Sequence, residues 1–409
     1  MTTSGFDVKK IRKDFSVLAQ KMNGHDLVYL DNAATTQKPA AVLERMDRFY
    51  REEYATVHRG VYTLSQKATR VCDDAREKCR RFLGAKKTAE IVFVRGATEA
   101  INLVAQAFGH KFFNKDDEII ISVMEHHANI VPWQRLCEEK GLTLRVIPMN
   151  DRGELDLEEY RKMLSGKTRL VAVAHVSNAL GTVNPVKEMT EWAHEEGAVV
   201  LIDGAQGVVH EKVNVQELGC DFYCFSGHKI YGPTGIGVLY GKLRHLEAMD
   251  PYQTGGDMIE SVTFERTSFA RPPFKFEAGT PAIVEIVGLG AALDYLEALG
   301  WDAIRAHEKD LLQFGTQALS AVSGLRLIGT AREKVSVLSF IMDEIHPHDV
   351  GTILDQEGIA IRTGHHCAQP VMQRFGLPAT ARASFALYNT REEIRLLAES
   401  LEKVKEVFR

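Results

Sequence analysis

Residues 198–229 read AVVLIDGAQGVVHEKVNVQELGCDFYCFSGHK and contain two short apolar runs, each followed at once by polar or charged side chains. The runs, 198–202 and 221–225, are nearly continuous rather than alternating. Such runs are typical of strands that are buried on both faces of a parallel sheet. Ligands of open parallel sheets bind beyond the carboxyl ends of the strands. We therefore expect functional side chains directly after each run.

Further apolar runs of the same kind alternate with helical segments along the chain. They lie at 91–94, 118–122, 144–147, 169–175 and 235–240. This alternation predicts an α/β fold with a mainly parallel seven-stranded sheet covered by helices.

The carboxyl-terminal part of the sequence has a different pattern. A helix-rich stretch at 282–320 precedes apolar runs at 335–342 and 382–387 and a helix from Arg391. This order predicts a smaller α+β domain. We place the large domain at 24–290 and the small domain at 291–409, joined by the amino-terminal segment 1–23. Residues 6–22 of that segment have helical spacing. Residues 64–83, in the large domain, also have helical spacing, and Gly84 predicts the end of that helix.

Composition limits the classes of partner. The chain has 409 residues, 45% of them hydrophobic, and a net charge of -5. A weakly acidic, balanced chain gives no electrostatic reason to expect nucleic acid or a membrane surface as partner. No apolar stretch is long enough to span a bilayer, and the first residues lack the apolar core of a signal peptide. The six cysteines include no C-x-x-C pair. We expect a cytoplasmic protein.

A lysine and a carboxylate follow the two runs of the opening stretch. A lysine at the mouth of a sheet, such as Lys229, can lose water, lower its pKa and attack an aldehyde, although most single lysines are simply solvated. Asp203 ends the first run, and pyridoxal phosphate needs an acid against its ring nitrogen. The pairing of D-x-A-Q with S-x-H-K therefore indicates this cofactor. Gln206 would reach the ring oxygen, and Ser226 and His228 are suitable phosphate donors.

Two further strand ends carry candidate cofactor contacts. Gly96 and Thr98 begin a helix, where free N–H groups bind phosphate, although an ordinary helix cap is the alternative. His126 could stack on a cofactor ring and take part in proton transfer. The adjacent His127 also invites a metal interpretation, but neighbouring residues point different ways and form a poor chelate.

A loop near the carboxyl terminus holds the sixth cysteine. Residues 362–370 read RTGHHCAQP, and the glycine and proline predict an accessible Cys367 whose thiolate is favoured by nearby arginine and histidine. A His-His-Cys zinc site is the competing hypothesis, without a second ligand cluster of matching spacing. Arg382 lies in a run of small and apolar residues and needs a partner. That partner is either a substrate carboxylate or an internal salt bridge.

These motifs together resemble the class V aminotransferase-like family of fold-type I pyridoxal-phosphate enzymes and, within it, the Suf-type cysteine desulfurases. The resemblance runs from YLDNAA at 29–34 to YNT at 388–390, and the RTGHHCA loop is its discriminating part. It implies conversion of L-cysteine to L-alanine with a persulfide on Cys367, for iron-sulfur cluster assembly. It also implies a homodimer and a SufE- or SufU-like sulfur acceptor protein.

The same resemblance implies a role for each site residue. The implied catalytic residues are Cys367, Lys229 and His126. The implied cofactor contacts are Lys229 (covalent bond), Asp203 (ring nitrogen), His126 (stacking), Gln206 and Asn178 (ring oxygen), Ala97, Thr98, Ser226 and His228 (phosphate) and Thr280 (phosphate of the partner subunit's cofactor). The implied substrate contacts are Arg382, Arg362 and Asn178. No metal is implied, and Ala97 stands where a second threonine is common.

Three alternatives stay open at this point. The first is selenocysteine lyase activity, beside desulfuration or instead of it. A class V aminotransferase needs no loop cysteine, so Cys367 argues against it. From another class, a zinc-dependent scaffold protein would use the side chains His126, His127, His365, His366 and Cys367.

Overall fold

The computed structural model describes residues 6–408, in which helices cover a seven-stranded sheet and a four-stranded sheet lies apart from it. The strands are β1 (Lys21–Met22), β2 (His25–Asp26), β3 (Val28–Tyr29), β4 (Ile91–Val94), β5 (Glu118–Ser122), β6 (Thr143–Ile147), β7 (Thr168–Ala174), β8 (Val199–Asp203), β9 (Phe222–Ser226), β10 (Gly237–Gly241), β11 (Ile259–Val262), β12 (Thr267–Phe269), β13 (Leu325–Ile328), β14 (Val337–Met342), β15 (Ile359–Ala360), β16 (Arg362–Gly364) and β17 (Thr380–Ser384).

The helices alternate with these strands through most of the chain. They are α1 (Val8–Ile11), α2 (Ala40–Arg48), α3 (Thr63–Leu83), α4 (Ala97–Leu103), α5 (His110–Phe112), α6 (Val131–Lys140), α7 (Leu157–Met163), α8 (Val186–Glu195), α9 (Gly207–His210), α10 (Val215–Leu218), α11 (Leu243–Ala248), α12 (Ile283–Leu299), α13 (Trp301–Ser320), α14 (Pro347–Gln356), α15 (Gln369–Phe375) and α16 (Arg391–Val407). Among residues 6–408 no helix is both long and apolar enough to cross a membrane.

The large sheet has the strand order β4-β10-β9-β8-β7-β5-β6. Neighbouring strands from β9 to β6 run parallel, and β10 is antiparallel to both β4 and β9. The apolar side chains at the centre of β8, from Val200 to Ile202, are fully buried, as a strand covered on both faces requires. The predicted mainly parallel seven-stranded α/β sheet is confirmed, with strand bounds that differ from the predicted runs by at most two residues.

The second sheet is antiparallel, with the order β13-β14-β17-β16. Its core includes Leu311 of α13, Phe340 of β14 and Leu397 of α16, all fully buried. The amino-terminal segment contacts this part of the chain, because Arg12 pairs with Glu393 at 2.8 Å. The predicted boundary at residue 290 falls inside α12, and the division into domains stays a prediction.

The prediction of a helix over residues 6–22, made from the spacing of apolar residues, is wrong. Only α1 is α-helical there; 3-10 turns follow at Arg12–Asp14 and Ser16–Ala19, separated by Phe15 in a non-helical conformation. The Phe15 ring packs 4.6 Å from that of Tyr388, so tertiary packing decides this segment. The predicted helix at 64–83 is confirmed as α3, which ends at Gly84 in the left-handed conformation. Residues 1–5 of the predicted segment 1–23, and Arg409, lie outside the described residues.

The turn after β8 requires glycine. A Cβ added at Gly204 would lie 2.0 Å from the ring of Tyr223, which is fully buried and hydrogen-bonded to His175. We expect Gly204→Ala to lower the free energy of unfolding by about 1–3 kcal/mol, because the ring cannot move without disturbing its neighbours. The urea midpoint of the cofactor-loaded protein measures this. Gly166→Ala is the matched control, since its Cβ would meet open space. Equal midpoints for the two variants would contradict the prediction.

Candidate active site

A cavity of about 200 Å³ lies at the carboxyl ends of the central parallel strands. Of the site residues that the sequence predicts, all except Thr280 line this cavity. Its walls come from the large sheet and from the carboxyl-terminal part of the chain, which contributes Arg362, Cys367 and Arg382. The structure therefore brings together side chains that are distant in sequence. Their chemical roles remain predictions.

Lys229 stands at the end of a 3-10 turn that begins directly after β9. Burial lowers the pKa of the Lys229 amine, and the carboxylate of Asp203 acts in the opposite direction. The preceding carbonyl, that of His228, accepts hydrogen bonds from Thr36 N at 3.1 Å and Lys38 Nζ at 2.9 Å. These contacts fix the backbone beside the lysine. An amine with a lowered pKa in a fixed position is suited to attack an aldehyde.

Asp203 is the last residue of β8 and is 6% exposed. Within the described chain, its carboxylate accepts one hydrogen bond, from Ala205 N at 2.9 Å. Burial raises the pKa of Asp203, while the charge of Lys229 lowers it. A buried carboxylate with a single backbone partner needs a further donor. A protonated pyridine nitrogen is such a donor, so Asp203 fits the ring of pyridoxal phosphate.

The start of α4 supplies donors suited to a phosphate group. Ala97 N donates to Ser226 Oγ at 2.9 Å, which joins the start of this helix to the end of β9. A Cβ at Gly96 would lie 3.1 Å from the same hydroxyl, so a larger residue there would crowd Ser226. Ser226 accepts in this contact, and its own hydroxyl proton is free for another acceptor. Together with Thr98, which also lines the cavity, this region fits a phosphate.

His126 is held as a neutral ring. Its Nδ1 accepts from Ala128 N at 3.0 Å, so the ring proton is on Nε2. Burial, followed by the charge of Lys229, lowers the pKa of His126 to about 4. A neutral, oriented imidazole in the cavity wall is suited to stacking on an aromatic cofactor.

Two amide side chains of the site also bind protein groups. Asn178 Nδ2 donates to His366 O at 2.7 Å, and Gln206 Nε2 donates to Ala33 O at 2.7 Å. Each amide keeps a second N–H for another acceptor. The predicted contacts of Asn178 and Gln206 with the ring oxygen stay predictions, and each amide has a donor left to make them.

Arg382 in β17 already has an acidic partner. Its NH2 group lies 3.0 Å from Asp31 Oδ1, and its NH1 group donates to Asn178 O at 2.8 Å. Arg382 Nε is buried and has no hydrogen-bond partner among residues 6–408. The internal salt bridge, which the sequence left open as an alternative, is therefore present. Binding of a substrate carboxylate by Arg382 stays a prediction and would use the remaining donor or displace Asp31.

Cys367 is the one partly exposed cysteine within the described chain, and the other five are buried. The loop that carries it has a positive φ at both His366 and Cys367. Cys367 lines the same cavity as Lys229, and its thiolate charge raises the pKa of the Lys229 amine. The loop cysteine and the lysine are thus neighbours, as the predicted chemistry needs.

The zinc alternative finds no support in the geometry. Among residues 6–408 no group of three or more His, Cys, Asp or Glu side chains is placed to hold a metal ion. His366 Nε2 is hydrogen-bonded to Thr380 Oγ1 at 2.8 Å, and His126 Nδ1 accepts a backbone N–H. These ring nitrogens are engaged in protein contacts.

Thr280 lines a different cavity, of about 400 Å³, together with Gly279 and Pro281. It does not reach the cavity of Lys229 in the same chain. The predicted contact of Thr280 with the cofactor of a partner subunit stays a prediction.

Glu125 is a buried residue of the site that the sequence did not indicate. It is fully buried directly before His126, and burial raises the pKa of Glu125 to about 7. It accepts from Asn129 Nδ2 at 2.7 Å, Ala174 N at 3.0 Å and the Ser122 hydroxyl. These contacts tie the turn that carries His126 to β7. A glutamate beside two histidines gives no sign of burial in the sequence, so only the packing shows it.

The parallel sheet, the lysine after β9 and the carboxylate after β8 together define a pyridoxal-phosphate enzyme of fold type I. Comparison with known proteins shows to which family of this class the chain belongs. The Aminotransferase class-V family matches residues 28–397. The chain therefore belongs to the class-V aminotransferase family.

Individual relatives cover nearly the whole chain. A cysteine desulfurase of Synechococcus elongatus is 52% identical over 401 residues, which are 98% of this chain but 64% of that relative. A cysteine desulfurase of Dickeya dadantii is 53% identical over 400 residues, 98% of this chain and 97% of the relative. The crystal structure of the cysteine desulfurase CsdA from Escherichia coli has a TM-score of 0.91 at 38% identity, covering 98% of this chain and 99% of that one.

Proposed function

We propose that the protein is a pyridoxal-phosphate-dependent cysteine desulfurase, which converts L-cysteine to L-alanine and keeps the sulfur as a persulfide on Cys367. The observation that carries this proposal is the shared cavity of Lys229 and Cys367. An aminotransferase would use the lysine but has no need of a thiol in the cavity wall. The relatives of similar length have the same described activity.

Different residues of the cavity carry out different steps of the proposed reaction. Pyridoxal phosphate, when bound, withdraws electrons from the α-carbon of the amino acid. Asp203 keeps the pyridine nitrogen protonated, and the lowered pKa of Lys229 favours the neutral amine that can take the α-proton. The Cys367 thiolate attacks the substrate sulfur, the bond from sulfur to Cβ breaks, and its electron pair stays with the carbon skeleton, which takes a proton at Cβ, regains one at Cα and leaves as alanine.

The substrate carboxylate would be held by arginine. Arg382 and Arg362 both line the cavity, and Arg382 has an unpartnered buried Nε. Two guanidinium groups in one wall favour an anionic ligand there. Asp31 keeps Arg382 oriented, because it holds one end of the guanidinium.

The RTGHHCA loop supports membership of the Suf-type branch. The part-exposed Cys367 supports transfer of its sulfur to a SufE- or SufU-like acceptor protein. The sulfur would serve iron-sulfur cluster assembly in the cytoplasm. Exposed apolar side chains support a homodimer. They include Tyr50, Tyr54, Val61, Tyr62 and Leu64. Thr280, which lies away from the cavity of its own chain, would complete the phosphate site of the partner subunit.

Purified, cofactor-loaded protein tests this function directly. With L-cysteine and a thiol reductant, we expect sustained formation of alanine and sulfide in equal amounts. With about one equivalent of L-cysteine per chain and no added thiol, alanine should form without an equal amount of sulfide, because the persulfide stays on the enzyme. Mass spectrometry should then find the peptide of Cys367 heavier by one sulfur atom. Sulfide formation without alanine, or single-turnover alanine formation with no sulfur left on Cys367, would contradict the proposal.

A further inference from the structure

His127 contacts the Cys367 loop at two points. Its backbone N donates to Cys367 O at 2.8 Å, and its ring Nε2 accepts from Gln369 N at 3.2 Å. The two contacts lie on either side of Ala368, so one residue holds the backbone just after the cysteine from both ends. We call this pair of hydrogen bonds the His127 clamp.

The loop needs such support. His366 and Cys367 both have φ of 54°, a left-handed conformation that is unfavourable for residues other than glycine. Asn178 Nδ2 donates to His366 O, and Ala368 N donates to His365 O at 2.8 Å. Together with the clamp, these contacts hold the loop backbone in this conformation.

The clamp works with one protonation state of His127. Because Nε2 accepts from a backbone N–H, it carries no proton, and the ring proton is on Nδ1. Burial, followed by the charge of His365, lowers the pKa of His127. The titratable groups near the ring are His365, whose ring centroid is 5.7 Å away, His126 at 6.3 Å, and the Cys367 thiol. His126 stays neutral over the relevant range, since its own pKa is about 4.

We propose that His127 is a positioning residue, whose neutral imidazole holds the Cys367 loop in place beside Lys229 and whose protonation releases it. The loop contacts stand on geometry alone, whereas their consequence for sulfur transfer rests on the proposed function. The clamped state has the lower pKa, so the clamp is complete at a pH above the ordinary value for histidine, about 6.5. It weakens as the pH falls below that value.

Alkylation of Cys367 by iodoacetamide measures opening of the loop in the cofactor-loaded protein, because the other five cysteines are buried. His127→Ala removes the ring acceptor and keeps the backbone donor. We expect the variant to be alkylated about fivefold faster than wild type at about pH 7.5, the effect of one hydrogen bond. As the pH falls below about 6.5 this ratio should fall towards one, since protonation of the ring then competes with the wild-type clamp. Using ratios cancels the ordinary pH dependence of thiol alkylation.

Two further variants isolate the acceptor. His127→Gln can place a carbonyl oxygen near the position of Nε2, so its ratio to wild type should be close to one at about pH 7.5 and below one at about pH 5.5. His365→Ala removes the neighbouring ring but not the clamp and should match wild type at about pH 7.5. The visible absorption of the cofactor checks that each variant folds.

A ratio near one for His127→Ala at about pH 7.5 would overturn the proposal, as would a ratio that does not change with pH or an equal effect of His365→Ala. Alkylation requires no turnover. The proposed function is tested separately by alanine formation in wild type. If the protein formed no alanine, the alkylation rates would still show whether His127 holds the loop.

Discussion

Replacing Cys367 by serine should abolish sulfide and alanine formation from L-cysteine while the cofactor's visible absorption persists. The hydroxyl of serine is close in size to the thiol, so the loop contacts through Asn178 and His127 should remain. A hydroxyl does not ionise near neutral pH and is a far weaker nucleophile towards sulfur. We expect turnover to fall by about a thousandfold or more, the usual effect of removing a covalent nucleophile.

Cys137→Ser is the matched control for this substitution. Cys137 is 8% exposed in α6 and does not line the cavity, so its variant should keep wild-type turnover. Alanine and sulfide are measured for both variants with a thiol reductant present. L-selenocysteine is excluded as the substrate, because selenium can leave without a nucleophile. Normal turnover by Cys367→Ser would refute the role of this thiol.

The central sheet could be predicted from the sequence because most of its strands are buried on both faces and so leave nearly uninterrupted apolar runs, with the edge strand β6 as the exception. The side chains that follow these runs, such as Asp203 and Lys229, are local to the strand ends, and the topology brings them together. The partner of Arg382 could not be predicted, because Asp31 lies 351 residues away in the sequence. Burial of Glu125 is likewise a property of packing and not of its neighbours in the chain.

In the amino-terminal segment, the sequence predicts burial better than it predicts the backbone conformation. Val8, Ile11, Phe15 and Leu18 have helical spacing, and all of them except Val8 are buried, yet the chain between them is not a continuous helix. Their positions are set by contacts with distant residues such as Tyr388. The identity of the buried residues was therefore predictable where the backbone conformation was not.

Replacing Lys229 by alanine should remove the covalent bond between protein and cofactor. In wild type, reduction with borohydride should fix the cofactor to the peptide that contains Lys229, and mass spectrometry after denaturation should detect it there. The variant should release all cofactor on denaturation, whatever it binds beforehand through Asp203 and the start of α4. Its alanine formation should fall by about a thousandfold or more, because the proposed mechanism uses Lys229 both as the attachment point and as the base that takes the α-proton.

Lys334→Ala separates this role from the general reactivity of a buried amine. Burial lowers the pKa of Lys334 to about 7, the same physical cause that lowers the pKa of Lys229. Its Nζ donates to Leu180 O, and it lines a cavity other than that of Asp203. We expect Lys334→Ala to keep the reducible cofactor bond. An amine with a lowered pKa forms an imine with the cofactor only where the protein can hold the aldehyde beside it. Loss of the bond in Lys334→Ala, together with its retention in Lys229→Ala, would show that the cavity beyond β8 and β9 is not the cofactor site.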